Sequence, residues 1–539
     1  MKFIDFYKKE SVVSATPVLV MSSIAGLANA AILFIINSVA MNSSQGDLKF
    51  KSLMLFILAF LIFLICKHYS LTHTAIIFEK LLTKVRLRIL DKSRNAELKK
   101  IEVIGMAQIH TSLTHNINSI SETALLGIVS CQYMIMLIIC SVYVAWLSMQ
   151  ACIGVAGLLA LAIFFFNKKR NQAEEFLTQV GIVQQQVFGK INGLFLGFKE
   201  LKINRRRSED YFKDVEKDNQ KNENLMTQAL LKFVNIMLIS EVTFFSMLAG
   251  IVFLMPRLGQ ENASIVPQLV TSILFVMGPI VTIVSILPML TKANLAIATI
   301  YNLEQQLDVS ADIKSPDDNI KTDFKEISLE NIVFSYKDQY ENTLFTLDNI
   351  NLTVNKGELL FVVGGNGSGK STVLKILAGL YHPDSGHIRL DGKVLIDQSS
   401  YQSFRELFSI IFTDFHLFEK LYGIDLIDTD RIQYYLEKME LDKKTTFKDR
   451  QFSNLQLSTG QKKRLAMIVA LLFDSEIYIF DELAADQDPE FRKYFYEILL
   501  RDLKDKGKTI IVVSHDDQYF HVADRVIKMD YGKFSKGSK

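Results

Sequence analysis

The sequence predicts a polytopic α-helical membrane domain of six helices followed by an α/β domain built around a phosphate-binding loop. Three observations carry this expectation. The chain has 539 residues, more than one hydrophobic core ordinarily holds, so at least two domains are expected. It is 49% hydrophobic, and the long apolar runs are concentrated in roughly its first 300 residues. In the rest, the stretch GGNGSGKS follows an apolar run of β type. A net charge of +2 lacks the basic bias expected of a nucleic-acid binder.

A bilayer core requires about 20 predominantly apolar residues per helix. Six stretches meet this length, at 14–38, 52–72, 122–147, 150–167, 229–256 and 265–291. The third, ALLGIVSCQYMIMLIICSVYVAWLSM, carries no charge at all. The first has an alternative reading as a removed signal peptide, because Lys2, Lys8 and Lys9 precede it and Ala28-Asn29-Ala30 resembles a cleavage site. The apolar run continues past Ala30 through AILFIINSVA, which suits a retained helix better.

The connections set the expected orientation through their Lys and Arg content. Lys80, Lys84, Arg86, Arg88, Lys92 and Arg94 lie between spans two and three. Lys168, Lys169, Arg170, Lys202 and Arg205-Arg206-Arg207 lie between four and five. The connection between three and four is nearly uncharged, and that between five and six has Arg257 as its one base. Both long connections and both termini are therefore expected in the cytoplasm. The long connections show apolar residues at helical spacing, so the membrane helices are expected to run on beyond the bilayer. Turns near 96–105 and 195–207 are then positioned to touch a cytoplasmic domain. Arg205-Arg206-Arg207 reads either as such a contact or as a solvated or lipid-facing basic patch. Glu241 is the one acid well inside a predicted span; it either faces an internal cavity or partner, or sits near the cytoplasmic end. Gly278-Pro279 and Pro288 are expected to kink the sixth span. Cys66, Cys131, Cys140 and Cys152 lack metal or disulfide spacing and read as small core residues.

The membrane domain is assigned to 1–302. A polar linker with Pro316 spans 303–324, and the second domain spans 325–539. The segments ISLENIVFSY and GELLFVVGG read as strands. The second leads directly into Gly364, Gly365, Asn366, Gly367, Ser368, Gly369, Lys370 and Ser371, a full match to G-x-x-x-x-G-K-[ST]. A helix, TVLKILAGL, follows from Thr372. Glycines let backbone N–H groups converge on phosphate oxygens, and the helix N-terminus adds positive potential. Lys370 is expected to reach the β- and γ-phosphates, and the Ser371 hydroxyl to ligate Mg²⁺.

The run FDELAADQDPEF then gains meaning. Its acids suggest a solvated loop, a single metal loop, or the end of a buried strand at a nucleotide site. The apolar strand IYIF in front of Asp481 and Glu482 favours the third. Asp481 is expected to help hold Mg²⁺, and Glu482 to act as general base on the attacking water. Asp486 and Glu490 read as solvated or structural acids. His515 follows another apolar strand, IIVVS, and is placed to sense a γ-phosphate.

LSTGQKKRLA, residues 457–466, resembles the signature motif of ATP-binding cassette (ABC) proteins. With the motifs above in order, the whole chain resembles an ABC exporter half-transporter: a type IV exporter-like membrane domain fused to an α/β P-loop nucleotide-binding domain. The resemblance implies an ATP hydrolase coupled to transport, using ATP and Mg²⁺. By position it implies that Tyr336 stacks on adenine and that Ser458, Gly460 and Gln461 contact the γ-phosphate held by a second copy. It further makes Asp488 the dimer-communicating Asp and His515 the switch histidine. One phosphate loop and one signature per chain imply a homodimer with two equivalent ATP sites. On this resemblance Glu241 becomes a candidate cargo contact.

The chain departs from the common pattern at Thr459, where the family usually has Gly, and at Thr413, where it usually has Gln and where Asp414 follows. The ADQD spelling replaces the usual S-A-L-D. Together these features resemble the bacterial cyclic-peptide exporter branch, which includes transporters of pyoverdine precursors, syringomycin-type lipopeptides and a lasso-peptide microcin. The implied cargo is a cyclic or modified peptide or a siderophore-like molecule, carried across the bacterial inner membrane in contact with lipid. A lipid or multidrug exporter is the alternative. An importer does not fit this layout. A maturation peptidase is not expected either, since only about a dozen residues precede the first span.

Overall fold

A computed structural model describes residues 3–11, 13–42, 50–258, 260–308, 324–337, 342–395, 398–424 and 428–535. Most of the expected linker, 309–323, lies outside the described residues. The chain divides into two compact units, one of Met1–Ala96 with Lys100–Val309 and the other of Glu97–Lys99 with Ser310–Lys539.

The first unit is helical. A short α1 (Phe3–Glu10) precedes α2 (Thr16–Asn42) and α3 (Phe50–Asn95). Two short helices, α4 (Leu98–Ile104) and α5 (Met106–Thr111), lead through one π turn into α6 (Ile117–Leu147). Then come α7 (Met149–Leu196), α8 (Phe198–Ile203), α9 (Arg205–Ala249) and α10 (Gln260–Leu307). Six of these helices are long and apolar enough to cross a membrane. At 1.5 Å per residue, α3, α7, α9 and α10 each measure about 70 Å, more than twice a bilayer core of about 30 Å. The apolar spans therefore continue as polar helix, and breaks at Gly197 and Asn204 isolate α8. Asn204 caps α9 by accepting from Arg207 N at 3.0 Å. Arg205 pairs with Glu209 one turn on, at 2.7 Å. α10 continues through Pro267, Pro279 and Pro288.

Between apolar helices in lipid, close packing and buried polar pairs replace the hydrophobic effect as the source of attraction. The Asn37 amide donates to Gln268 O at 3.3 Å and to Ser272 Oγ at 3.2 Å, joining α2 to α10. Thr123 Oγ1 donates to Met289 O at 3.2 Å, joining α6 to α10. Farther along, Arg88 on α3 forks onto both oxygens of Glu10 at 2.6 and 2.8 Å and donates to Glu304 at 2.6 Å. Tyr301 adds a hydrogen bond to Glu10 at 2.6 Å. This network ties α1, α3 and α10 together. Cys66 and Cys140 are buried, Cys131 and Cys152 partly so, and all four are free. Glu241 and Ser240 line a cavity of about 10 Å³ with Phe244, Met277, Ile280 and Val281, between α9 and α10.

The second unit is two sheets and their helices. An antiparallel sheet of order β2-β1-β4-β5 contains β1 (Glu326–Lys337), β2 (Thr343–Asn355), β4 (Ser385–Leu390) and β5 (Lys393–Val394). A six-stranded sheet has order β12-β11-β3-β10-β9-β6. Its members are β3 (Leu359–Gly364), β6 (Phe408–Ile411), β9 (Ile477–Asp481), β10 (Thr509–Val513), β11 (Arg525–Asp530) and β12 (Lys533–Phe534). All its pairs are parallel except β11–β12. A small hairpin pairs β7 (Phe447–Lys448) with β8 (Gln451–Phe452). The helices are α11 (Lys370–Leu377), α12 (Gln398–Arg405), α13 (Thr429–Lys438), α14 (Thr459–Phe473), α15 (Pro489–Tyr494) and α16 (Leu500–Asp505).

Parallel strands are covered on both faces, so they read as continuous apolar runs with neighbours dividing between two cores. Ile477 and Ile479 of β9 join Leu360, Val362 and Leu374 on one face. Tyr478 and Phe480 join Phe361, Leu465, Met467 and Phe495 on the other. Each such side chain, fully buried, contributes about 1.5–3 kcal/mol. In register, Val513 of β10 pairs with both Val362 of β3 and Asp481 of β9. The three strands thus end together, and the loops at their carboxyl ends form one ledge, where open α/β sheets bind ligands.

Candidate active site

At that ledge β3 turns through Gly365–Gly369 into α11. Gly369 is the N-cap of α11 with φ +103°. A Cβ there would be strained by that φ and would lie 2.7 Å from a Leu347 methyl and 2.9 Å from the tip of the Phe345 ring, so glycine suits this point of the cradle. Lys370 is buried at 6% exposure, and its ammonium donates back to Gly364 O at 3.0 Å and Gly365 O at 3.1 Å. It stands 4.0 Å from Glu482 Oε1. Ser371, one residue on, donates to Asp481 Oδ2 at 2.8 Å.

Asp481 is the last residue of β9 and is 1% exposed. Burial pushes its carboxyl above the ordinary value; the Ser371 hydrogen bond opposes this and the charge of Glu482 adds to it. Its Oδ1 has no hydrogen-bond partner among the described residues, and neither has Ser368 Oγ in the loop. A carboxylate oxygen buried without a donor, beside a serine hydroxyl, is a donor set that suits a hard cation. The geometry therefore fits Mg²⁺ at Ser371 and Asp481.

Glu482 turns the chain at the end of the strand. It adopts a left-handed conformation, φ +52°, which is uncommon for a residue with a side chain and recurs at functional sites. His515 Nε2 lies 3.2 Å from Glu482 Oε1. Next to His515, Ser514 Oγ and Asp516 both meet the Tyr496 hydroxyl, at 2.6 and 3.0 Å, which anchors the turn bearing the histidine. Tyr336, near the end of β1, is half-buried, edge-on to Phe334 and Tyr381.

The structure brings Lys370, Ser371, Asp481, Glu482 and His515 into direct contact. Ser458, Gly460, Gln461 and Asp488 form a second cluster. Ser458 and Gln461 make a reciprocal capping box at the start of α14. Asp488 caps α15 by accepting from Phe491 N at 2.9 Å, and this backbone hydrogen bond holds its carboxyl below the usual range. The Arg464 guanidinium also pairs with Asp488. Thr413 and Asp414 are exposed, just beyond β6, whose last residue Ile411 pairs with Phe480.

Residues 347–485 match the sequence model of the ABC transporter family. The ATP-binding protein SyrD of Pseudomonas syringae pv. syringae is 31% identical over 525 residues, 94% of this chain and 91% of that protein. The chain belongs to the ABC transporter family. It is an exporter-type half-transporter, with six apolar helices followed by one ABC unit, and it is a multi-pass membrane protein. The probable syringafactin export ATP-binding/permease protein SyfD of P. syringae pv. syringae (strain B728a) is 33% identical over 209 residues, 36% of this chain and 31% of that protein. The structure of a bacterial Atm1-family ABC exporter with ATP bound shares the fold, with a TM-score of 0.75 over 98% of this chain and 95% of that one, at 15% identity. The ABC unit marks the chain as an ATP-binding protein of a transport system.

Sequence reasoning missed Lys463, Arg464 and Gln487, which join the second cluster to the run 482–488. Lys463 and Arg464 are 5% and 8% exposed. A signal was present: Gly460, Lys463, Arg464, Met467 and Leu471 share one helical face, and two bases in an otherwise apolar stripe require specific partners.

Proposed function

We propose that the chain is one half of a homodimeric exporter that uses ATP and Mg²⁺ to move a cyclic or modified peptide (an antimicrobial peptide, a lipopeptide or a siderophore precursor) across the bacterial inner membrane. Domains of 1–302 and 325–539 joined by 303–324, with both termini cytoplasmic, complete this reading. The observation that carries the chemistry is the carboxylate pair ending β9: Asp481 with an unpartnered buried oxygen beside Ser371, and Glu482 against His515. The near-full-length relationship to SyrD and the branch-specific spelling at Thr413 and Ala485–Asp488 support the cargo class.

Each residue's part follows from its position. Backbone N–H groups of the loop Gly364–Gly369 and the N-terminus of α11 hold phosphate oxygens of ATP, and Thr372 lies in the first turn of that helix. Lys370 turns its ammonium from the loop carbonyls to the β- and γ-phosphates. Ser371 and Asp481 hold Mg²⁺, which when bound neutralises charge developing on the transferred phosphoryl group. Glu482 accepts the proton of the attacking water, and His515 orients that carboxylate and meets the γ-phosphate. Tyr336 stacks on adenine. Ser458, Gly460 and Gln461 close on the γ-phosphate held by the second copy, and Asp488 relays between the two sites. ATP thereby biases a two-state membrane unit toward one of its conformations.

Glu482→Gln keeps the side chain's size and its contact with His515 but removes the base. Turnover is expected to fall about 10²–10⁴-fold, with ATP binding retained and a closed dimer trapped. Unchanged hydrolysis would overturn the role of Glu482. For the cargo, inverted vesicles supply the test: cyclic lipopeptides should stimulate the ATPase and accumulate with ATP. Stimulation by lipids or hydrophobic cations alone would replace the peptide reading with a lipid or multidrug exporter.

A further inference from the structure

The signature helix is bolted to the catalytic turn of its own chain by Lys463, a residue of the signature run 457–466 to which the resemblance assigned no role. Lys463, in the second turn of α14, is 5% exposed. Its ammonium donates to the backbone carbonyl of Glu482 at 2.9 Å and pairs with Asp486 Oδ2 at 2.6 Å. Two neighbours dock the same helix on the same run. Gln487 donates its amide to Gly460 O at 3.0 Å and accepts from Arg464 Nε at 3.0 Å. A Cβ on Gly460 would lie 2.9 Å from Asp486 O, so the helix start and this loop touch backbone to backbone.

The target of Lys463 is significant. Glu482 is in the uncommon left-handed region, and a partner on its carbonyl restrains the ψ angle of the turn that carries its side chain. That carbonyl also accepts from Ala485 N, at the long distance of 3.3 Å. The charge-assisted bond from Lys463 is the shorter of the two, and such bonds are the stronger kind. Burying an ammonium is costly unless it is fully paired, and here its pairing is spent on one peptide carbonyl and one acid of the catalytic turn. Asp486, a bland acid by sequence, is the counter-ion that keeps Lys463 charged against that carbonyl.

We propose that Lys463 is a positioning residue for Glu482. It holds the Glu482 peptide in the conformation that presents the carboxylate to His515, and it carries any displacement of the signature helix to the base of the same protomer. This rests on the reading of Glu482 as the general base.

The test compares full-length dimers in nanodiscs bearing Lys463→Met, Lys463→Arg, Glu482→Gln, and Lys463→Met combined with Glu482→Gln. A small displacement of a catalytic group lowers rates by about 10–100-fold, so Lys463→Met should lose that much kcat. The KM for ATP, binding of a fluorescent ATP analogue and the melting temperature should stay near the parent's. Lys463→Arg should recover a large part of kcat. The double variant should be no slower than Glu482→Gln alone, because Lys463 acts through that side chain. Parent-like kcat in Lys463→Met overturns the inference, as does a loss matched by falling analogue binding or melting temperature, or an additive loss in the double variant. If Glu482→Gln itself keeps turnover, the base assignment fails and this inference falls with it. If only Lys463→Met keeps turnover, the inference fails alone.

Discussion

Replacing Arg88 by Met tests how the helical unit is held at the ends of α1, α3 and α10. The structure sets the magnitude. Arg88 makes three charge-assisted hydrogen bonds of 2.6 to 2.8 Å, two to Glu10 and one to Glu304. The two carboxylate side chains are 3% and 7% exposed. Methionine fills the stem volume but strands both acids, and breaking a buried ion pair costs about 3–5 kcal/mol. Arg88 itself is 30% exposed, which places the cost at the lower end, about 3 kcal/mol. At roughly 2 °C per kcal/mol for a unit of this size, the melting temperature in detergent should fall by about 6 °C. Adding Glu10→Gln should recover part of the loss, since one stranded charge is removed.

The pH dependence follows from Glu10. Burial alone raises its carboxyl, but the hydrogen bonds from Arg88 and then Tyr301 outweigh it and leave it below the ordinary value of 4.5. A depressed carboxylate contributes stability that is full above its unfolded value and lost as pH falls through its folded value. Without Arg88 the buried carboxyl of Glu10 is raised, so the gap between parent and Arg88→Met should be largest at neutral pH and shrink as the pH falls into and through the ordinary carboxylate range. A melting temperature within about 1 °C of the parent at neutral pH, with no effect of Glu10→Gln, would refute the reasoning.

Gly460→Ala forces a Cβ to within 2.9 Å of Asp486 O, a backbone atom that has no rotamer to yield. Steady-state hydrolysis should fall at least about 10-fold while a fluorescent ATP analogue still binds; normal turnover would show that the loop gives way. Asp481→Asn removes the carboxylate beside Ser371 and should abolish the Mg²⁺-dependent part of analogue binding, leaving the Mg²⁺-independent part. Titrating the analogue with and without Mg²⁺ separates the two.

The soluble chemistry was legible because it is local. Gly364–Ser371 and Asp481-Glu482 are contiguous runs, and each must be spelled by a few residue types to turn tightly, expose N–H groups or end a buried strand with charge. The apolar spans were legible for a related reason, since lipid imposes composition on about 20 consecutive residues. The docking of α14 on the run 482–488 was not, because Lys463 and Glu482 are 19 positions apart and neither spelling names the other. Nor does the sequence link Arg88 to Glu10 and Glu304, 78 and 216 positions away.

By itself, the sequence determined the two-part architecture, the phosphate loop and the order of its motifs, since periodicity, composition and short contiguous patterns are properties of neighbouring residues. The tertiary structure alone decided which charges are buried together. Strand register aligned the ends of β3, β9 and β10 so that Ser371, Asp481, Glu482 and His515 meet. Helix packing chose Asp486 and the Glu482 carbonyl as the partners of Lys463. A buried charge is satisfied by whatever the fold places within about 3 Å, and that distance is set by packing across the chain rather than by spacing along it.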